Sequence, residues 1–155
     1  MSEKEVKHYV NTIVYSLEQT LTCLNLQMTQ AFNELNLDIT LDQGTILDTI
    51  YCRGKLCQRD LSKLILKDRS NTNRMLNVLE KKGYIKRIAG TKDNRLVNYI
   101  ELTEKGKETL EYNMDRVYGC YVKMLESTTE EDLQSLRLLL DKLMENLHKS
   151  IRLQV

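Results

Sequence analysis

Residues 60–106 read DLSKLILKDRSNTNRMLNVLEKKGYIKRIAGTKDNRLVNYIELTEKG, and the fold turns on where this stretch changes its period. Leu61, Leu64 and Ile65, then Met75, Leu76 and Leu79, recur at helical spacings. They predict one short helix over 56–65 and a second reaching about Lys82, divided by a turn at Leu66–Lys67. Asp68 or Ser70 can cap the second helix, and Gly83 suits its C′ position. After Gly83 the pattern becomes β-prone, in YIKRI (84–88) and LVNYIEL (96–102). The seven residues between them, AGTKDNR (89–95), are rich in turn formers and charge. Short helices joined by tight polar turns, with a hairpin directly behind them, form a helix-turn-helix followed by a wing.

Outward from this stretch, a short helix over 43–53 buries Ile46, Leu47 and Ile50. Thr40 or Asp42 can cap it, and Gly54 stops it. Longer helices occupy both ends of the chain. The first is expected from Lys4 to Asn36, with Val6, Val10, Ile13, Leu17, Leu21, Leu24, Met28, Ala31 and Leu35 forming a seam near the coiled-coil period. Thr103 caps another, to about Glu126, carrying Leu110, Met114, Val117, Tyr121 and Leu125. Thr128 or Thr129 caps the last, with a stripe of Leu133, Leu136, Leu140, Leu143, Leu147 and Ile151. Seams this long exceed what one small core needs. The expected fold is mostly α with a small β-hairpin wing, a winged helix-turn-helix core flanked by long helices.

The chain has 155 residues, 41% hydrophobic and 29% charged, which suits a single domain with one core. No apolar run approaches 18 residues, so no membrane span is expected, and the start MSEKEVKHYV lacks the apolar segment of a secretory signal. A cytoplasmic location with its four cysteines reduced is the expectation. The net charge of +1 conceals an asymmetry. Residues 53–95 hold thirteen Lys or Arg against four Asp or Glu, a net of +9, and the remainder carries −8. A basic middle within an acidic frame is the footprint of a subregion that meets a polyanion.

The runs DLSKLI, DRSNTNRMLNVLEKKGYIKR, KDNR and LTEKG, in this order and spacing, closely resemble the winged-helix core of the MarR family of bacterial transcription regulators. The flanking helices match in order and length, so the resemblance covers nearly the whole chain as one domain, 1–155. It implies that 1–36 and 103–155 form a helical dimerisation region and 41–102 a DNA-binding lobe. It further implies a homodimer on double-stranded DNA with an inverted-repeat operator. The activity expected is that of a repressor modulated by a small ligand or by thiol oxidation. A winged-helix protein-interaction module without a DNA site is the competing class, and the +9 lobe argues against it.

The helix from Asp68 to Lys82 commits one face to packing. Arg69, Ser70, Asn71, Asn73, Arg74 and Asn77 remain near its N-terminal half as base or phosphate contacts. Arg bonds guanine at O6 and N7, and Asn bonds adenine at N6 and N7, each pair bidentate. Ser70 reads equally as a cap. In the wing, Asp93 and Arg95 match the family's Asp-x-Arg signature. By resemblance Arg95 reaches the minor groove or its phosphates while Asp93 orients it or shapes the turn. Lys92, Arg87 and Lys86 then support as phosphate contacts.

Catalysis has little support: the two histidines, His8 and His148, stand near opposite ends, and no Gly-rich phosphate loop exists. Cys52 and Cys57 lack the second pair that a closed zinc site needs, so neither a metal nor a cofactor is expected. Peroxide-sensing members of the family carry a reactive Cys early in the first helix, where Ser16 stands here. Cys23 lies about two turns further on, so that subfamily is not assigned. Cys57 is a candidate redox residue, because it opens a helix and Arg53, Lys55 and Arg59 are near in sequence. The stronger reading is that of a tolerated small residue with no redox role. Tyr15, Met28, Tyr51, Tyr112 and Tyr118 are candidates to line an effector cavity, and core packing explains each as well.

Overall fold

The computed structural model describes residues 8–150. Lys4 and Val6, assigned from sequence to the first helix, and Ile151, assigned to the last, lie outside the described residues. The chain divides into two compact units at Leu41.

In the first unit a 3-10 turn, Tyr9–Asn11, precedes α1, Ile13–Glu34. The helix starts later than its apolar spacing suggests because Thr12 is extended and caps it, its Oγ1 accepting the Tyr15 N–H at 3.3 Å. Met28, Ala31 and Phe32 form its buried face. Asn36 ends the run in the left-handed region (φ 52°), a conformation asparagine tolerates.

The second unit holds the winged helix. Helix α2 spans Leu41–Arg53, and Gly54 (φ 76°) closes it. A strand then appears where a helix was expected: Leu56–Cys57 is β1, and only Gln58–Leu64 is helical, as α3. The reason is tertiary, since Leu56 and Cys57 pair with Ile100 and Tyr99 more than forty residues away. Leu61 is buried in α3, but Leu64, expected beside it, is 49% exposed. Leu66 turns the chain at φ 53°, an uncommon conformation for a leucine, held by Lys67 N–H to Ser62 O at 3.1 Å.

Helix α4, Arg69–Lys81, is capped by Asp68, whose side chain accepts the Asn71 N–H at 2.8 Å. Ser70 is therefore not the cap and stands exposed in the first turn. Strands β2 (Ile85–Lys92) and β3 (Arg95–Leu102) are longer than the sequence suggests. The loop between them shrinks to Asp93-Asn94, both at positive φ, a two-residue hairpin turn whose twist suits the strands. The sheet order is β1-β3-β2, all antiparallel.

Helix α5, Glu104–Met124, is joined to the root of the wing. The Thr103 N–H bonds Tyr84 O at 3.0 Å, its Oγ1 donates to Gly83 O at 2.6 Å, and that same oxygen accepts the Gly106 N–H at 3.2 Å. A Cβ on Gly106 would lie 2.2 Å from Tyr84 O, so only glycine fits this joint. Helix α6, Glu130–Ser150, starts with reciprocal hydrogen bonds between Thr129 and Asp132. Its leucines are left largely exposed: Leu136, Leu140, Leu143 and Leu147 among them. Ile46, Leu47, Leu61, Leu76, Leu79 and Ile100 are the fully buried centre of this unit.

Candidate nucleic-acid interface

The inner side of α4 is settled by Thr72, Met75, Leu76 and Leu79, all buried. That choice leaves Asn73, Arg74 and Asn77 exposed on the outer side, with Arg69 and Ser70 at its head. Residues 73 and 77 sit one turn apart on a shared stripe. The Arg74 Nη2 donates to Asn71 Oδ1 at 3.0 Å, which holds the guanidinium along the helix surface.

Arg87 does not extend outward from the wing as a phosphate contact would. Its Nη2 donates to Asn77 Oδ1 at 2.8 Å and Asn73 Oδ1 at 3.2 Å, and its Nη1 pairs with Glu80. The side chain is only 19% exposed. The register explains the direction: Arg87 pairs with Ile100, which is fully buried, so both lie on the sheet face turned toward the helices. Lys86 is on the opposite face and pairs with Glu101 at 3.6 Å.

At the wing's end Lys92 pairs with Asp60 of α3, and the same Asp60 oxygen accepts the Cys57 S–H at 3.1 Å. The Lys92 ammonium, and secondarily the Cys57 thiol, hold the Asp60 carboxyl below the usual carboxylate range. Cys57 itself is 4% exposed, and its sulfur makes no capping bond to α3. Asp93 forms the turn, at φ 50°. The Arg95 side chain is exposed and makes no hydrogen bond or ion pair among the described residues. Lys55 stands over the Tyr99 ring, 5.3 Å from its centre.

Sequence reading did not find the roles of Asp60 and Glu80. A signal was present: within a lobe of +9, the four acidic residues are exceptions. Asp60 anchors Lys92, Asp68 caps α4, Glu80 anchors Arg87 and Asp93 forms the turn.

An open cleft of about 700 Å³ lies between the end of α2, the wing root and the start of α5, bordered by Tyr51, Lys86, Glu101, Glu104 and Lys107. Tyr51 donates to Glu111 at 3.0 Å, and this hydrogen bond raises the phenol pKa. Of the five residues expected to line an effector cavity, Tyr51 alone borders this cleft; Tyr112 and Tyr118 lie exposed on α5. Among the described residues no cluster of three or more His, Cys, Asp or Glu is placed to hold a metal ion. None of the described helices is long and apolar enough to cross a membrane.

Residues 39–97 match the model of the MarR family. The chain is 30% identical over 109 residues to the multiple antibiotic resistance protein MarR of Salmonella typhimurium, covering 70% of this chain and 75% of that one. It is 26% identical, with a TM-score of 0.71, to a cysteine-to-serine variant of Escherichia coli MarR solved with operator DNA, covering 88% of this chain and 99% of that one. The Staphylococcus aureus MepR–DNA complex shares the fold at 22% identity and a TM-score of 0.78, over 90% and 99% of the respective chains.

Proposed function

The chain belongs to the MarR family of DNA-binding transcriptional regulators, and from that premise we propose how its own residues do the work. It acts as a cytoplasmic homodimeric repressor on an inverted-repeat operator, by binding and not by catalysis. Helix α4 enters the major groove by its N-terminal half, offering Arg69, Ser70, Asn71, Asn73, Arg74 and Asn77 to bases and phosphates. Arg95 reaches the adjacent minor groove, whose negative potential favours an inserted guanidinium. The observation that carries this reading is the pairing of an exposed polar face on α4 with an unpartnered Arg95 in a lobe of +9. A protein-interaction module without a DNA site has no need of that charge.

The open cleft beside Tyr51 supports an effector site that touches both the wing root and α5. Its lining mixes lysines with Glu101 and Glu104, which pair with Lys86 and Lys107, beside one tyrosine, and a small polar molecule with an aromatic ring suits it. Thiol control through Cys57 would first require exposing a buried sulfur.

A salt-titrated gel shift on DNA from upstream of the protein's own gene tests the reading. Binding should exceed that to random DNA and weaken linearly in log salt. No retardation of either DNA at low salt would refute it.

A further inference from the structure

The amides of Asn73 and Asn77 are oriented by Arg87. A guanidinium carries only donors, so the atom facing it in each asparagine must be the carbonyl oxygen. Arg87 holds both oxygens from one nitrogen, at 3.2 and 2.8 Å. Glu80 neutralises the same guanidinium, and pairing with Ile100 in the sheet sets its position. With each Oδ1 turned inward, each Nδ2 has no partner among the described residues, and both asparagines are exposed on α4. Asn71 repeats the pattern, its oxygen held by Arg74 at 3.0 Å. The helix therefore presents hydrogen-bond donors along its outer face.

Base recognition depends on this polarity. Bidentate bonding to adenine needs one amide to donate to N7 and accept from N6–H at once. An amide whose oxygen is turned inward onto Arg87 presents only its donating half to a base outside. Guanine instead offers two adjacent acceptors, O6 and N7, which a donor-only amide serves. The adenine contact expected from the residue types alone is thus disfavoured by their neighbour.

We propose that Arg87 is a positioning residue for DNA readout, which fixes Asn73 and Asn77 as donors so that α4 selects guanine over adenine at the bases they face. This assignment rests on the DNA-binding reading above, and it makes Arg87 a residue that acts through others and not a phosphate contact.

Selection of sites from random DNA tests it, with Asn73→Ala and Asn77→Ala marking the positions each asparagine reads. Wild-type protein should recover guanine there. Arg87→Ala should let both amides turn over, reducing guanine-over-adenine discrimination at those positions by about tenfold while leaving the salt slope unchanged. Asn77→Asp keeps an oxygen for Arg87 but places an acceptor where the donor stood, and should move the preference toward cytosine, whose N4 donates. That variant keeps the test decisive should the alanine variant lose its fold, which circular dichroism would report. Adenine recovered by the wild type overturns the assignment. So does an Arg87→Ala protein that keeps its base preference and loses about one unit of salt slope per protomer, as a phosphate contact would. Wild-type protein that enriches no sequence would overturn the DNA reading itself, a result distinct from either.

Discussion

Asp60 holds the end of the wing through Lys92 and accepts a hydrogen bond from the Cys57 thiol with the same oxygen. A phosphate that binds Lys92 must therefore compete with a carboxylate already in place, whereas Arg95 faces no such competition. Arg95→Ala should accordingly weaken operator binding more than Lys92→Ala, as measured by gel shift at two salt concentrations. Asp60→Asn releases Lys92 and removes an anion from the lobe. Affinity for random DNA should rise, and the salt slope should steepen by up to about one unit per protomer. An unchanged slope would mean that Lys92 does not reach DNA. The same carboxylate carries a pH signature. Its folded pKa lies below the ordinary value of 3.8, so its contribution to stability is complete above that value and is lost as the pH falls through the lowered one. Melting temperatures of wild type and Asp60→Asn should differ at neutral pH and converge on acidification below about 4. At this scale the sequence identified the residue types of α4 and the Asp-x-Arg wing. It did not reveal that Arg87 turns inward, because strand register, and not residue type, decides which face a side chain joins.

The helices were legible because each has a strong apolar period and identifiable stop residues, such as Gly54 and Gly83 at positive φ. Strand β1 was not, since two residues carry no period and their pairing partners are remote in sequence. The hairpin was foreseen but its turn was overestimated. Gly90 and Thr91 resemble loop residues, yet the sheet extends through them because Asp93 and Asn94 together make the two-residue turn. The choice of cap on α4 was open from sequence and falls to Asp68. Asp68→Ala should therefore cost about 1 kcal/mol in denaturant melts, while Ser70→Ala should cost much less. An equal cost for the two would contradict the capping geometry. The α5 joint makes a sharper demand. Gly106→Ala brings a methyl against the Tyr84 backbone, which cannot move as a flexible side chain would. A loss of about 1–3 kcal/mol is expected, despite alanine's better helix propensity. A stabilised variant would show that the joint yields.

Helix α6 buries none of its described side chains within one chain, yet carries Leu136, Leu139, Leu140, Leu143 and Leu147. Such an apolar surface on a water-exposed helix is the mark of an interface with another protein, in agreement with the seams read from sequence. Sedimentation at micromolar concentration should give twice the mass of the 18.2 kDa chain, and replacing Leu140 and Leu143 by glutamate should return it to one. A wild-type chain that sediments as a monomer would remove the basis for a two-fold operator. If the dimer holds, half-site centres should stand about 10 base pairs apart, one helical turn, so that both α4 helices meet the same side of the duplex. The joint at Gly106 then acquires a mechanical meaning. Because Thr103 is bonded to both Gly83 and Tyr84, the head of α5 has no hinge where it meets α4 and the wing. Twenty-one residues make α5 a lever about 31 Å long. Pivoted at its far end, a tilt of about 5° sweeps the head through about 3 Å, close to the ~3.4 Å step between stacked bases. An effector that levers α5 by so small an angle could put one lobe out of phase with its operator without touching a residue that meets DNA.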